Sequence, residues 1–171
     1  EASFVARSVD THTEHLQATL ERAGRHRGSA FVEVLQNCNI FNDGAFRDFT
    51  ERDVRDDRML ALEHGQPMIF GKDRDKGIRL NGLHPEVVQL GNGITEEQLL
   101  VHDETAADPY LAYMLSRMWW PDFPVPVGVL RRVDRATHDQ LVTAQVEDAR
   151  ARQAAPDLDS LLREGETWVV E

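Results

Sequence analysis

The period of the apolar positions changes several times along this chain. Phe4–Val9 (Phe-Val-Ala-Arg-Ser-Val) and Ala30–Leu35 (Ala-Phe-Val-Glu-Val-Leu) are short runs rich in β-branched and aromatic residues, which predicts strands. Between them Leu16, Leu20 and Ala23 recur at helical spacing. Thr11-His12-Thr13-Glu14 has capping-box spacing at the start of that stretch, and Gly24 or Gly28 ends it. Strand, helix and strand in this order predict a βαβ unit, whose crossover is right-handed in nearly all proteins. The expected fold class is therefore α/β, with this unit at the trailing edge of a doubly wound sheet.

Past Phe46 the pattern is more broken. Thr50–His64 reads as a helix with Val54, Leu60 and Leu62 apolar, ended by Gly65 before Pro67. Met68–Phe70, Ile78–Leu80 and Glu86–Leu90 are strand candidates, with turn sequences at Lys72–Gly77 and Gly91-Asn92-Gly93. Connections this short cannot hold crossover helices, so an antiparallel meander is expected. Thr95-Glu96-Glu97-Gln98 is a second capping box. Asp108-Pro109 opens a helix running to Trp119, lined on one side by Tyr110, Met114 and Met118 and widened by Leu111 and Leu115. Prolines 121, 124 and 126 precede a strand at Val127–Val133; Thr137–Gln153 is a polar amphipathic helix, and a tail past Pro156 carries Trp168. Two parts are expected: residues 1–46, the βαβ part, and residues 47–171, a small α+β extension.

Composition narrows the function classes. A chain of 171 residues can bury enough surface for its own core. No apolar run approaches bilayer length and Glu1-Ala2-Ser3 opens no signal peptide, so a cytoplasmic, soluble protein without membrane contact is expected. A single cysteine excludes an intramolecular disulfide and suits a reducing compartment. The net charge of −11, from 30 acidic against 19 basic residues, argues against nucleic acid as a partner. The charges are interspersed: Asp43–Arg58 mixes six acids with four arginines, the composition of a solvated face.

That single cysteine, Cys38, follows the second predicted strand, where open α/β sheets gather their functional groups. Read from the residues alone it stays open: a small buried thiol, a nucleophile lacking a nearby histidine motif, or a metal ligand whose partners lie elsewhere. Asn37, Asn39, Asn42 and Asp43 surround it; turn chemistry accounts for such residues, and so does contact with a cofactor. His64 and His102, beside Glu63 and Asp103, lack ligand spacing and read as structural, His64 at a helix end. Trp119-Trp120 suits either an interface anchor or core packing. Neither a phosphate-cradling glycine loop nor a Cys-x-x-Cys motif occurs.

The segment Gln36-Asn37-Cys38-Asn39-Ile40-Phe41-Asn42-Asp43-Gly44-Ala45-Phe46 resembles one in the β subunit of 2-oxoacid:ferredoxin oxidoreductases. The likeness continues at Leu62–Pro67, Leu100–Asp103, Pro126–Arg131 and Leu161–Trp168, in the family's own order. The branch preferring 2-oxoglutarate carries Pro where Asn39 stands. That subunit is longer than this chain, and nothing here matches its Gly-Asp-Gly motif for Mg²⁺ and thiamine diphosphate or its upstream cysteines.

The resemblance implies the C-terminal half of such a subunit: the end of a doubly wound thiamine-diphosphate-binding fold, then an α+β extension. The intact enzyme would decarboxylate a 2-oxoacid, with 2-oxoglutarate favoured, pass electrons through a 4Fe–4S cluster to ferredoxin, and give the acyl group to coenzyme A. Its cofactors would be thiamine diphosphate, Mg²⁺ and the cluster, and its protein partners an α subunit and ferredoxin. Cys38 would be the fourth cluster ligand, with Asn37 and Asn42 near a cofactor. This chain by itself would be inactive and bind none of these groups. It would self-associate to hide Phe4–Val9 or Trp119-Trp120. The other reading is a noncatalytic acidic α/β assembly domain.

Overall fold

The computed structural model describes residues 2–152, 157–166, 168 and 170. The chain forms two compact units, residues 1–135 and 136–171.

The first unit opens as the apolar pattern predicts. Strand β1 (Phe4–Val9), helix α1 (Thr13–Arg25) and strand β2 (Ala30–Leu35) form a βαβ unit, with β1 and β2 parallel from Phe4↔Ala30 to Val9↔Leu35. The helix starts later than its capping box suggests. His12 donates its N–H to the Val9 carbonyl at 3.2 Å, and this turn delays the first helical residue to Thr13, with no side-chain cap.

The stretch Thr50–His64 is not one helix. It divides into the turns α2 (Arg47–Thr50) and α3 (Arg55–Arg58) and the strand β3 (Met59–Ala61). Tertiary pairing overrides helical propensity here: β3 lies parallel to β7 (Val125–Arg132), which buries Met59 and Leu60 together. Strand β7 also runs antiparallel to β1, giving a mixed four-stranded sheet in the order β2-β1-β7-β3. This sheet crosses residue 46, since its third and fourth strands come from the stretch assigned to the extension.

Phe4–Val9 is accordingly not a bare edge. Strand β1 is flanked on both sides and Phe4 is fully buried, so the exposed strand edge expected there lies instead on β2, where Phe31 is 58% exposed.

The predicted meander is present as β4 (Ile69–Phe70), β5 (Lys76–Asn81) and β6 (His84–Gln89), all antiparallel. Helix α4 (Tyr110–Arg117) stops two residues short of Trp119 and buries Leu115, with Met118 just beyond, while Tyr110 turns to solvent. Those side chains join Leu60, Leu62, Ile78 and Leu130 in a core between meander and sheet. A second core, Val9, Leu35, Phe49, Met59, Val125 and Val127, lies beneath the residues that follow β2. The capping box at Thr95 forms, Gln98 Oε1 accepting the Thr95 N–H at 2.9 Å, though it caps a single 3₁₀ turn.

The second unit holds α5 (His138–Arg152) and α6 (Leu158–Leu162); no residue of α5 is buried. Asp157 caps α6 through the N–H of Ser160. None of the described helices is long and apolar enough to cross a membrane.

Candidate functional site

The loop after β2 is built from local hydrogen bonds. Leu35 anchors its start in the core. The chain then folds back on itself, Asn42 donating its N–H to the Cys38 carbonyl at 2.9 Å. Asn37 braces the turn from inside. Its amide nitrogen donates to Asn39 Oδ1 (2.8 Å) and Asp43 Oδ1 (2.9 Å), and its oxygen accepts the Gly44 N–H (2.8 Å). Gly44, at φ +76°, supplies the left-handed backbone that lets the chain leave the turn.

This folding gathers the backbone N–H groups of Phe41, Ile40 and Asn42 around the half-buried Cys38 sulfur, and they hold its pKa below the ordinary thiol value. Aligned N–H groups favour a thiolate because they stabilise its charge; they favour a metal-bound sulfur for the same reason. Beside it Ile40 and Phe41 are 83% and 89% exposed, an apolar rim on a polar loop. Among the described residues no three His, Cys, Asp or Glu side chains are grouped to hold a metal ion.

Behind the loop, at the carboxyl ends of β1 and β2, lies a crevice of about 350 Å³. Asp10 and Thr11 border it from β1, Asn37 and Gly44 from the loop, and Arg47 and Arg55 from the following turns. Its wall is fixed by aromatic packing: Phe46 and Phe49 meet the ring of Trp119 edge-on at 6.4 and 5.3 Å. Arg7 lies over the Trp119 ring and Arg58 over Trp120, so both indoles are engaged within the chain.

The two histidines of the sequence reading are placed differently. His102 is buried, its Nε2 hydrogen-bonded to the Val129 carbonyl at 2.8 Å, and burial holds its pKa below 6.5. His64 ends no helix; its Nδ1 accepts the Glu104 N–H at 3.3 Å, with Asp103 3.6 Å away. Both sit where three segments of the family likeness converge. Gly65 donates to His102 O, His102 donates to Gln66 O, and Leu62 donates to Val127 O.

Sequence reasoning missed two features. Buried Glu104 is gripped by Arg22 (2.6 Å) and Arg132 (3.1 Å), partners far from it in the chain. His12 and His15 stack at 5.3 Å, a pairing hidden inside what reads as helix capping.

No family model matches the chain. It is 36% identical, over 176 aligned positions covering all of it and 46% of the other protein, to the 2-oxoglutarate oxidoreductase subunit KorB of Mycobacterium tuberculosis. Over 61 positions, 36% of this chain and 18% of the relative, it is 38% identical to the β subunit of 2-oxoacid:ferredoxin oxidoreductase 1 of Aeropyrum pernix. The fold resembles a chain of the 2-oxoglutarate:ferredoxin oxidoreductase from Magnetococcus marinus, solved with 2-oxoglutarate, coenzyme A and succinyl-CoA bound. The TM-score is 0.52 at 17% identity, covering 96% of this chain and 41% of that one. The chain thus spans less than half the length of these relatives.

Proposed function

We propose that this homologue of 2-oxoacid:ferredoxin oxidoreductase β subunits is the part of such a subunit in which Cys38 gives one thiolate to a 4Fe–4S cluster. The cup of backbone N–H groups around the Cys38 sulfur, braced by Asn37, carries this reading. The other ligands, and the residues holding thiamine diphosphate and Mg²⁺, would come from outside these residues. The whole enzyme would oxidatively decarboxylate a 2-oxoacid, with 2-oxoglutarate favoured, to an acyl-CoA, assembling with an α subunit and reducing ferredoxin. The fold would be the end of a thiamine-diphosphate-binding sheet. When bound, thiamine diphosphate supplies carbanion stabilisation and the cluster supplies single-electron transfer.

The residues of this chain have definable tasks in that scheme. The N–H groups around Cys38 favour its thiolate form, the form that metal ligation requires. Asn37 orients the loop, Asn42 closes its turn on the Cys38 carbonyl, and Ile40 and Phe41 exclude water beside the sulfur once the rest of the protein covers them. The test is Cys38→Ala in the complete β subunit with its α subunit. Loss of the visible iron–sulfur absorbance and of ferredoxin reduction is expected, whereas an unchanged spectrum and turnover would overturn the assignment. By calorimetry, this chain alone should bind no thiamine diphosphate.

A further inference from the structure

Arg55 lines a second cavity, of about 310 Å³, that the reading above does not use. His12 and His15, just beyond the carboxyl end of β1, border it together with Arg55, Lys72 and Arg74. Lys72 and Arg74 come from the turn between β4 and β5. The floor is apolar: Met59, Ile69, Phe70 and Val127 are each less than a tenth exposed. Asp56 is the acid that faces it, and Asp57 nearby is held by Lys76 Nζ at 2.8 Å.

In a chain of net charge −11 this local excess of cations is unusual. Among the described residues neither Lys72 nor Arg74 makes an ion pair within 4 Å, although Lys72 lies in the field of Asp57, to which its backbone N–H donates at 3.4 Å, and Arg55 reaches only Asp56, at 3.9 Å. The histidines add uncommitted groups. Ser8 Oγ engages His15 Nδ1 at 2.8 Å, leaving His15 Nε2 and both His12 side-chain nitrogens without a hydrogen-bond partner among the described residues. Burial lowers the pKa of both rings, so near neutral pH they offer uncharged N–H donors beside the fixed cations. Guanidinium and ammonium groups surrounding neutral donors match a multiply charged phosphoryl group. A sheltered apolar floor of this size suits a flat organic body attached to it. A metal cation would meet repulsion from three positive side chains.

We propose that this cavity binds a nucleoside phosphate, with the phosphoryl oxygens on Arg55, Lys72 and Arg74 and the base on the Met59–Phe70 floor. The test is calorimetric titration of the chain with ADP, alongside inorganic pyrophosphate and 2-oxoglutarate as phosphate-only and carboxylate-only probes. One ADP should bind per chain and shift the His12 and His15 ring resonances in NMR spectra. The two smaller anions should bind at least about tenfold more weakly. Arg55→Gln and Lys72→Gln should each weaken ADP binding about tenfold or more, the range for a charge-assisted hydrogen bond. Arg27→Gln, the same charge change outside the cavity, should leave it unchanged. Lys72 is exposed, so its variant keeps the test valid if Arg55→Gln fails to fold, as circular dichroism would show. Absence of ADP binding, an equal loss in Arg27→Gln, or equal affinity for pyrophosphate or 2-oxoglutarate would each overturn the proposal. The readout involves no turnover, so its failure leaves the cluster assignment of Cys38 standing.

Discussion

Asn37 spends both ends of its amide on closing the loop that presents Cys38, so the acidity of the thiol is coupled to a side chain that never touches it. Alkylation of the chain by iodoacetamide should therefore show a midpoint below that of an ordinary cysteine, about pH 8.5. Asn37→Ala should move the midpoint back toward that value. The histidines give a second prediction. His12, His15 and His102 are all held below 6.5, so the unfolded chain binds more protons than the folded one as pH falls past that value. Stability is present above this range and lost below it. The lowered aspartates Asp57, Asp103 and Asp157 lose their contribution only as pH falls below about 5, outside this window. The urea midpoint should fall between about pH 7.5 and pH 5.5, and His102→Gln, which keeps a donor for Val129 O, should reduce the fall. Cys38 was conspicuous in the sequence because it has no competitor, and the surrounding amides announced a turn. The stack of His12 on His15 was overlooked because the segment read only as helix capping, although residues three apart share a helix face.

Among the elements, the βαβ unit and the meander were readable because their apolar periods agree with their pairing. Strand β3 was not. Leu60 and Leu62 fit a helix as well as a strand, and only the partner β7, more than sixty residues away by the numbering, decides between them. The same contact explains Gly128. Its φ of +119° suits glycine, and a Cβ there would stand 3.0 Å from the Leu62 carbonyl oxygen. Gly128→Ala should cost more than about 2 kcal/mol, from backbone strain and displacement of Leu62, measurable as a lower urea midpoint. Secondary structure by itself would tolerate the change, because alanine is no worse than glycine in a regular strand. The penalty belongs to the β3–β7 crossing.

For the molecule as a whole, residues 1–135 carry the sheet, the meander and the cores, while α5 buries nothing. A chain ended after Arg135 should keep a cooperative thermal transition within a few degrees of the full chain's, and limited proteolysis should leave that piece resistant. That division was only partly visible in the sequence: the polar character of residues 138–152 was plain, but nothing local shows that β7 belongs with β1. This pairing has a consequence during synthesis. Strand β1 is made shortly before β2, yet its other neighbour, across the register Phe4↔Arg132 to Arg7↔Gly128, is made more than a hundred residues later. As the chain emerges from a ribosome, β1 can find β2 early, but its other edge stays open until β7 has cleared the exit tunnel. Between those two moments the nascent chain thus displays an unpaired, apolar strand edge, the kind of surface that chaperones cover and that aggregates recruit.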